Sequence, residues 1–598
     1  MKLKYQLAIV AVTILFLAGI LLVRQQRAPG LIKDFFSAET QPINLAMFRV
    51  VFFVALACSF SVPNIVWFSS IPAELRFPPP GLHWLLAHLP INETWAWSAS
   101  VLLLFFCFTA AVGLFTCTSA VVCLVLGLYV LGIPQCYGKI NHYHHLLWFT
   151  AILAVSPCAD VLSIDAIRWS RKRADNGSTE PPGSSNVYAL PLRFVWLLMG
   201  AIYFSAGFWK VWTGGYKWAF SDNPRNMFYN KWMEFGVWRP FFRIDQHPFL
   251  YQMSAAASIA FELSFIVIIF FPAIRYLAAL GGLAFHNMTG LFMRIYFWQM
   301  QVCYVSFVDW QRVFRFAGRR LFSEEMYLIY DGNCRLCRRT IAALRTLDVF
   351  GRVHYLSAFD EPAIRSHGLD WLNSDDLLLN MHAVKGRKVW RGFAAYRTLA
   401  QRLPVLWPLV PFLYLWPLTL IGRRVYRHVA DTRACDISVA RSLDAARIKT
   451  QRSGRAIVLV SLLILYGALV TAVGKVNSWP FAGYPTFEDL DKPEVSVITM
   501  SADTPTGTIE INPFAEQVGQ QMPPARLMAM LGRISSVADE AERRLRLQAL
   551  WKLWSRDSPD LQRVTAVRFY RDTLSSLPER QNDNLLQREF LYELRLTK

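Results

Sequence analysis

Long apolar stretches constrain this chain of 598 residues more than any other feature. A helix needs about 20 apolar residues to cross the hydrocarbon of a bilayer. The stretches near that length are 7–23, 43–62, 94–112, 114–133, 145–163, 191–212, 249–271, 275–295, the short 297–311, and 455–474. Hydrophobic residues make up 54% of the chain and charged residues only 17%, against about 25% in soluble domains. We therefore predict a polytopic α-helical membrane bundle of about ten spans, with the lipid bilayer as its solvent.

The positions of lysine and arginine predict the orientation of the bundle, because basic residues are enriched on the cytoplasmic side. Three basic clusters fall on one side of the predicted spans: 171–173, 312–320 and 447–455. Three loops and the tail then face outward: 63–92, 134–144, 213–248 and the chain from about 476. This bias explains the net charge of +20 without a nucleic-acid partner, since the aromatic residues lie mostly in apolar runs.

The pattern of residues divides the chain into five regions. They are an N-terminal membrane helix (1–33), the main bundle (34–320), an α/β unit (324–445), a final transmembrane helix (452–475) and an exterior C-terminal domain (476–598). The first apolar run has the shape of a signal peptide, but basic residues follow it without a small-x-small site, which favours an uncleaved helix. We expect a multi-pass protein of the inner (plasma) membrane, with the α/β unit cytoplasmic and the tail periplasmic or exterior.

Residues 324–445 differ from the bundle in their periodicity. The runs MYLIYD, VHYLSAF, DLLLNMHAV and KVWRG predict strands, and TIAALRTL and FAAYRTLAQRL predict helices. In the tail, EVSVITM and GTIEIN predict two strands, and helical periodicity over 524–556 predicts a small, mostly helical domain.

One pair among the ten cysteines has a spacing that suggests chemistry. Cys334 and Cys337 follow the MYLIY strand and open a helix, whose free backbone N–H groups and dipole favour a thiolate. Asp331 and Gly332 supply the turn before that helix. Redox chemistry of the two thiols is the first interpretation, because strand–CxxC–helix is the arrangement in which such pairs work.

Two other interpretations of this pair remain open. The pair could be half of a metal site, but structural zinc takes four ligands, and only His354, His367, His382 and the distant Cys435 are at hand. It could also be a buried structural pair. We predict no metal site.

Residues 325–440 resemble the DCC family of thiol–disulfide oxidoreductases. The resemblance lies in four stretches that fall in order: YDGNCRLCRR, VHYLSAF, GRKVWRGFAAYRTL and IGRRVYRHVADTR. It implies a thioredoxin-like fold, with Cys334 as the attacking thiol and Cys337 as the resolving thiol. Arg335 stands where proline is common in the family, and together with Arg338 it should favour the thiolate. This chemistry requires no cofactor, but it requires a thiol or disulfide partner protein.

A polar side chain within a membrane span costs free energy, so each polar residue within or beside the apolar spans is a candidate for a functional role. The candidates are His142, His144, His145, Lys210, Glu262 and His286. Each of them could instead tie helices together or lie at the membrane interface.

Residues 34–311 resemble the HTTM family, the transmembrane domain shared with vitamin K-dependent gamma-carboxylase. The matching stretches are LAMFR, NHYHHLLWFTAILAVSPCADVLSID, YFSAGFWK, FELSF and FHNM. The resemblance implies that Lys210 is a base acting on a reduced quinone, and that His142 and His286 support it. Trp209 replaces the first lysine of a Lys-Lys pair, and the large lumenal domain is missing, so the resemblance does not extend to carboxylation of glutamate.

The sequence thus predicts an integral membrane thiol–disulfide oxidoreductase, coupled to a quinone-like apolar cofactor in the bundle. One alternative is a carboxylase-like or other lipid- or quinol-dependent modifying enzyme whose thiol domain is regulatory. A second alternative is a non-enzymatic membrane assembly protein whose exterior tail binds a partner.

Overall fold

The computed structural model describes most of the chain. The described residues are 10, 12–14, 16–17, 30–59, 61–140, 143–235, 238–432, 444–483, 487–504, 507–511, 522–556, 561, 564–580 and 583–596. The predicted span 7–23 lies largely outside them, as do His142 and Cys435.

The first half of the chain is helical. Its α-helices are α1 (Gly30–Ser37), α2 (Pro42–Ala57), α3 (Ser61–Ser69), α4 (Leu82–His88), α5 (Glu93–Val112), α6 (Thr116–Val130), α7 (His144–Ala154), α8 (Ile164–Asp175), α9 (Asn186–Gly214), α10 (Asn223–Met233), α11 (Pro248–Ile268), α12 (Arg275–Met293), α13 (Trp298–Val302) and α14 (Trp310–Leu321). Short 3-10 helices lie at Ala73–Leu75, Ile133–Cys136, Gly215–Trp218, Ile244–Gln246 and Cys303–Phe307.

Six helical stretches in the described part of the chain are long and apolar enough to cross a membrane. They are Pro42–Ser69, Glu93–Val112, Thr116–Cys136, Asn186–Trp218, Pro248–Ile268 and Gly454–Val473. The number rises to seven if the pair Pro404–Tyr414 and Trp416–Thr432, bent by 105°, is counted as one span. The described residues therefore give six or seven candidate spans, and the predicted ten are not shown.

The missing spans have local causes. The predicted span 145–163 is helical only as far as Ala154, because Pro157 follows and cannot continue a helix. The predicted span 297–311 breaks into α13 and a 3-10 turn. α12 is long enough, but the polar residues that it carries keep it below the apolarity of the other spans.

Two glycines let α9 pack closely on α11. A Cβ atom at Gly200 would lie 3.0 Å from the Ile266 side chain, and one at Gly207 would lie 2.9 Å from the Glu262 Cβ. The seven-residue spacing places both glycines on one face of α9. The close approach of the two backbones brings Glu262 toward α9.

A buried arginine ties α2 to the ends of neighbouring helices. The Arg49 guanidinium donates to the carbonyl oxygens of Cys158 at 2.8 Å, Leu162 at 2.5 Å and Ala111 at 3.3 Å. Because these carbonyls lie outside or at the ends of helices, the arginine satisfies polar groups that the apolar core could not.

The α/β unit follows α14. Its elements are β1 (Met326–Tyr330), α15 (Arg335–Arg345), β2 (Val353–Ser357), α16 (Glu361–Ser366), α17 (Ser374–Leu379), β3 (His382–Lys385), β4 (Lys388–Arg391), α18 (Phe393–Ala400), a 3-10 helix (Pro404–Leu409), α19 (Val410–Tyr414) and α20 (Trp416–Thr432). The sheet has the order β2-β1-β3-β4. β1 and β2 are parallel and joined by α15, whereas β3 pairs antiparallel with both β1 and β4.

The predicted α/β pattern agrees with these elements except in one run. DLLLNMHAV was expected to be a strand, but its first half is helix α17 and only its end belongs to β3. Three leucines in succession fit a short helix as well as a strand, so the sequence pattern alone could not distinguish the two.

The chain ends in a mixed domain after the long helix α21 (Asp444–Val473). Its elements are β5 (Glu494–Thr504), β6 (Gly507–Ile511), α22 (Pro524–Ser535), α23 (Glu540–Ser555), β7 (Ala566–Ser575), a 3-10 helix (Pro578–Arg580) and β8 (Leu585–Arg595). The strands form an antiparallel sheet of order β6-β5-β7-β8. The prediction of a mostly helical tail was therefore wrong, because charged residues interrupt the apolar alternation along β7 and β8 and hid their strand character.

This tail domain contacts all three loops that were predicted to face outward. Arg526 donates to the Tyr137 carbonyl at 2.9 Å, Arg546 donates to the Arg76 carbonyl at 3.3 Å, and Asn226 donates to the Asp491 carbonyl at 2.8 Å. The α/β unit instead packs against α8, which carries the basic cluster 171–173.

Candidate functional site

Cys334 stands at the junction between β1 and α15. It is the N-cap residue of α15, and its Sγ accepts the backbone N–H of Cys337 across 3.4 Å. Cys334 is fully buried, whereas Cys337 is partly exposed. The sequence thus places the two thiols one turn apart at a helix N-terminus, as predicted.

The turn before α15 is fixed by Asp331. Its Oδ1 accepts the backbone N–H groups of Asn333 at 2.9 Å and Cys334 at 3.2 Å. Gly332 is required by a close approach, because a Cβ atom there would lie 2.2 Å from Ser357 Oγ at the end of β2. Both residues therefore hold the first cysteine in place.

The pKa of Cys334 is lowered to about 6. The largest cause is the hydrogen bond with the Cys337 thiol, and the backbone N–H groups of Cys337 and Leu336 act in the same direction. Burial and the negative charge of Asp331 oppose the shift. Donors at a helix N-terminus stabilise the anion more than its surroundings destabilise it.

The arginines of the motif make other contacts. Arg335 donates to Asp175 Oδ1 at 2.9 Å, and Arg339 donates to Asp175 Oδ2 at 2.6 Å. The Arg338 guanidinium donates to the Gly332 carbonyl at 3.0 Å. These contacts position the turn and the helix, and the causes that lower the Cys334 pKa are the sulfur and backbone donors instead.

Asp175 joins the helical bundle to the α/β unit. It is the last residue of α8, and the two arginines hold its pKa well below the usual range of an aspartate. The loop that follows α8 continues the contact, because Glu180 forms an ion pair with Arg345 at the end of α15. The thiol helix is thereby attached to the bundle along its length.

A cavity of about 440 Å³ opens beside Cys337. Its wall is mostly apolar and includes Leu336 of α15, Tyr396 of α18, and Val425 and Tyr426 of α20. The Tyr396 and Tyr426 rings meet edge to face at 5.9 Å, and the Tyr426 hydroxyl accepts the Met381 N–H at 3.1 Å. The more exposed thiol therefore faces an apolar space.

Two of the six candidates in the bundle are in direct contact. Lys210 on α9 donates from Nζ to Glu262 Oε1 on α11 at 2.6 Å, and both side chains are buried. Lys210 also lies over the Trp218 ring at 5.0 Å. Glu262 Oε2 is buried and has no hydrogen-bond partner among the described residues.

His286 belongs to a second buried cluster. Its Nε2 lies 2.6 Å from the Tyr203 hydroxyl, which in turn lies 2.6 Å from the Tyr304 hydroxyl. Gly282 makes room for Tyr304, because a Cβ atom there would fall 1.8 Å from the tyrosine oxygen. His142 lies outside the described residues, so its place relative to Lys210 stays a prediction.

Sequence reasoning missed Asp175 and the tyrosines of the cavity. Asp175 lies 160 residues from Arg335, and no local spacing links the two. Tyr396 and Tyr426 lie within the family-like stretches FAAYRTL and VYRH, which was the available signal. In the described part of the chain, no group of three or more His, Cys, Asp or Glu residues could hold a metal ion.

Comparisons with known proteins address one part of the chain. Residues 328–435 match the family described as DCC1-like thiol-disulfide oxidoreductase. No curated protein and no solved structure matches the chain. The comparisons give no evidence for an HTTM domain, so that resemblance stays a prediction. The chain carries a DCC1-like thiol-disulfide oxidoreductase domain at residues 328–435.

Proposed function

We propose that this protein is a membrane thiol–disulfide oxidoreductase in which Cys334 attacks and Cys337 resolves. The observation that carries the proposal is the lowered pKa of Cys334, which lies at the N-terminus of α15 within hydrogen-bonding distance of its partner cysteine. Because the pKa of this thiol is lowered from 9 to about 6, the thiolate, which is the nucleophilic form, predominates at pH 7. The βαβ unit followed by an antiparallel hairpin also supports a thioredoxin-like fold.

The reaction transfers two electrons from the cysteine pair to a disulfide of a partner protein. The Cys334 thiolate attacks one sulfur of that disulfide, a mixed disulfide forms, and the partner's other sulfur leaves as a thiolate. The Cys337 thiolate then attacks Cys334 Sγ, releases the partner's second thiolate and closes the intramolecular disulfide. Running the same steps in reverse oxidises a dithiol partner, so the direction depends on the relative reduction potentials.

Trapping of the mixed disulfide tests these roles. Oxidised glutathione is added to the full-length protein carrying Cys337→Ser, and the adduct is located by peptide mass spectrometry. We expect a stable glutathione adduct on Cys334, because no second thiol can resolve it. The matched variant Cys334→Ser should form the adduct far more slowly. Equal adduct formation on the two variants would contradict the assignment of Cys334 as the nucleophile.

We place the bundle in a bilayer with the thiol domain on the cytoplasmic side. The six apolar helical stretches support the membrane setting. The separation of contacts supports the two sides: the tail meets the loops with Arg76, Tyr137 and Asn226, and the α/β unit meets α8. A membrane-impermeant thiol reagent should distinguish the Cys334→Ser variant, which keeps the partly exposed Cys337, from the Cys334→Ser, Cys337→Ser variant only in inside-out vesicles. A difference seen only in right-side-out vesicles would reverse the orientation.

A second candidate function lies in the bundle, where the buried Lys210–Glu262 pair favours a site for a reduced quinone. The pair offers a donor at Lys210 Nζ and, at Glu262 Oε2, an acceptor without a partner among the described residues, and a hydroxyl group of a reduced quinone can accept from the first and donate to the second. A quinone would supply two-electron redox chemistry there. Lys210 must first lose a proton, for which the Glu262 carboxylate is the neighbouring acceptor, before it can act as a base. Lipid extracts of the purified protein should contain an isoprenoid quinone in near-stoichiometric amount, and its absence would contradict this candidate.

A further inference from the structure

The α/β unit ends in a helical hairpin with an apolar outer surface. The hairpin consists of the 3-10 helix Pro404–Leu409, α19 and α20, and we call it the apolar hairpin. Large side chains on it are at least two-fifths exposed: Trp407, Leu409, Phe412, Trp416, Leu420 and Ile421. Trp416 alone exposes 76% of its surface. An exposed apolar patch of this density marks an interaction site.

The inner face of the apolar hairpin packs against the rest of the α/β unit. Gly422 packs against the Phe393 ring, where a Cβ atom would come within 2.3 Å. Tyr426 accepts the Met381 N–H, and Val425 lines the cavity beside Cys337. The exposed residues therefore lie on a surface that the α/β unit does not cover.

The hairpin is continuous with the helix that leads out of the bundle. Phe350 joins the two, because its ring lies 6.5 Å from Phe314 on α14 and 5.9 Å from Trp407 on the hairpin. α14 also exposes apolar side chains, including Phe316 at 63%. The two elements thus form one apolar surface on the side of the domain where the chain leaves the bundle.

Arginines border this surface on both elements. On α20 the apolar first half is followed by the exposed Arg423, Arg424 and Arg427. α14 carries Arg315 and Arg319 among its apolar residues. Aromatic and aliphatic side chains flanked by basic ones are typical of helices that lie in the interface of an anionic membrane.

We propose that the apolar hairpin docks the thiol domain on the bilayer surface. Its first half lies among the acyl chains near the headgroups, and the arginines of α20 contact anionic lipid phosphates. A bilayer fits better than a protein partner, because α14 on one side and the apolar stretch Gly454–Val473 on the other tether the hairpin close to the membrane. The inference rests on the membrane setting proposed above.

Photo-crosslinking in nanodiscs tests the docking with the full-length protein. Benzoylphenylalanine replaces Trp416, and lipid adducts are measured by mass spectrometry in nanodiscs that contain phosphatidylglycerol. Trp371 is the matched control, since it lies in the same domain and is 50% exposed outside the hairpin. We expect at least about tenfold more lipid adduct at position 416 than at position 371 if the hairpin lies in the interface.

A third position separates this inference from the membrane setting. Leu463 is 61% exposed in the stretch Gly454–Val473, so benzoylphenylalanine there should give lipid adducts whenever that stretch spans the bilayer. Adducts at 463 with position 416 no better than 371 would overturn the docking alone. A lack of adducts at 463 would overturn the membrane setting and the docking together. Crosslinks from 416 mainly to protein would show that a protein covers the hairpin, and would also overturn the proposal.

Charge reversal provides a second measurement. Arg423→Glu together with Arg424→Glu should lower the adduct yield at 416 severalfold in anionic nanodiscs and leave the yield at 463 unchanged. Unchanged yields at 416 would exclude a role for the basic border. Retention of the glutathione reaction at Cys334 shows that the variants are folded.

Discussion

The sulfur of Cys334 accepts the backbone N–H of Cys337, 3.4 Å away, at the first turn of α15. The geometry makes the second cysteine a donor to the first, through both its thiol and its backbone. Asp331 sets the turn that allows this contact, although its charge disfavours the thiolate. The pair is therefore organised by backbone geometry more than by the arginines that surround it in sequence.

The first prediction concerns the pH dependence of Cys334. Because its pKa is lowered to about 6, its alkylation rate should rise with a midpoint near pH 6, about three units below an ordinary thiol at 9. The thiolate also stabilises the reduced domain: the contribution is complete above pH 9 and is lost as the pH falls toward 6. Iodoacetamide labelling of the reduced protein between pH 4 and 10 measures the midpoint.

The Cys337→Ala variant is the control for this first prediction. It removes the thiol donor but keeps the backbone donors, so the midpoint should move upward by a part of the shift. An unchanged midpoint would show that the thiol of Cys337 contributes nothing to the pKa of Cys334.

The sequence predicted the strand, turn and helix around Cys334 better than it predicted the contacts of the thiol domain with the bundle. The strand, the turn at Gly332 and the helix that starts after Cys334 follow from short-range patterns, and the structure contains all three. Asp175 could not be found in this way, because its contact with Arg335 depends on the packing of α8 against α15. Burial of Cys334 is likewise a property of tertiary structure.

The bundle shows the same limit. The long apolar runs predicted six stretches that the structure also contains, whereas the runs near 145–163 and 297–311 are interrupted helices. The contact between Lys210 and Glu262 could not be read from the sequence, since it depends on the close approach of α9 and α11 at Gly207. In the tail, cross-strand ion pairs such as Arg571–Glu589 stabilise strands whose charged residues masked their alternation.

The second prediction concerns Gly332. A methyl group there would collide with Ser357 Oγ, so Gly332→Ala should displace the turn and destabilise the domain by about 1–3 kcal/mol. Cys334 alkylation at pH 7 should slow because its backbone donors are misplaced. Thermal unfolding and the labelling rate measure the two effects.

A second substitution tests whether the collision with Ser357 causes the effect of Gly332→Ala. Ser357→Ala removes the hydroxyl and should restore much of the loss when it is combined with Gly332→Ala. Gly532→Ala, in a helical position with no atom within 4 Å of the added carbon, should be neutral or stabilising by up to about 1 kcal/mol. Failure of Ser357→Ala to rescue would show that the collision is not the cause.

The third prediction concerns the link between α8 and α15. Asp175→Asn removes the negative charge that pairs with Arg335 and Arg339. It should therefore weaken the attachment of α15 to α8 by about 1 kcal/mol once solvent screening is included. Hydrogen exchange over 335–345 should become severalfold faster. Asp370→Asn, an exposed change in the same domain, should leave it unaltered.

The same link has a defined dependence on pH. Because the Asp175 pKa is lowered, its stabilisation is fully present above about pH 4, the ordinary value for an aspartate, and is lost as the pH falls below it. Exchange over 335–345 should therefore be protected at pH 5, after correction for the intrinsic rate. Cys334 titrates near pH 6 at the start of the same helix, so the measurement uses the Cys334→Ser variant. Loss of protection between pH 7 and 5 in that variant would contradict the role of Asp175.

The last prediction concerns the Lys210–Glu262 pair. Lys210→Met leaves a carboxylate buried between α9 and α11 and should destabilise the protein by about 3–5 kcal/mol. Glu262→Met should have a similar cost, whereas the double variant removes both charges and should recover most of the stability.

Thermal unfolding in detergent gives the comparison, and the glutathione reaction of Cys334 should be unchanged in all three. Equal instability of the single and double variants would show that the side-chain volumes matter and that the charges do not. If the double variant is stable but no longer retains a quinone, the pair is a binding site as well as a contact between two helices.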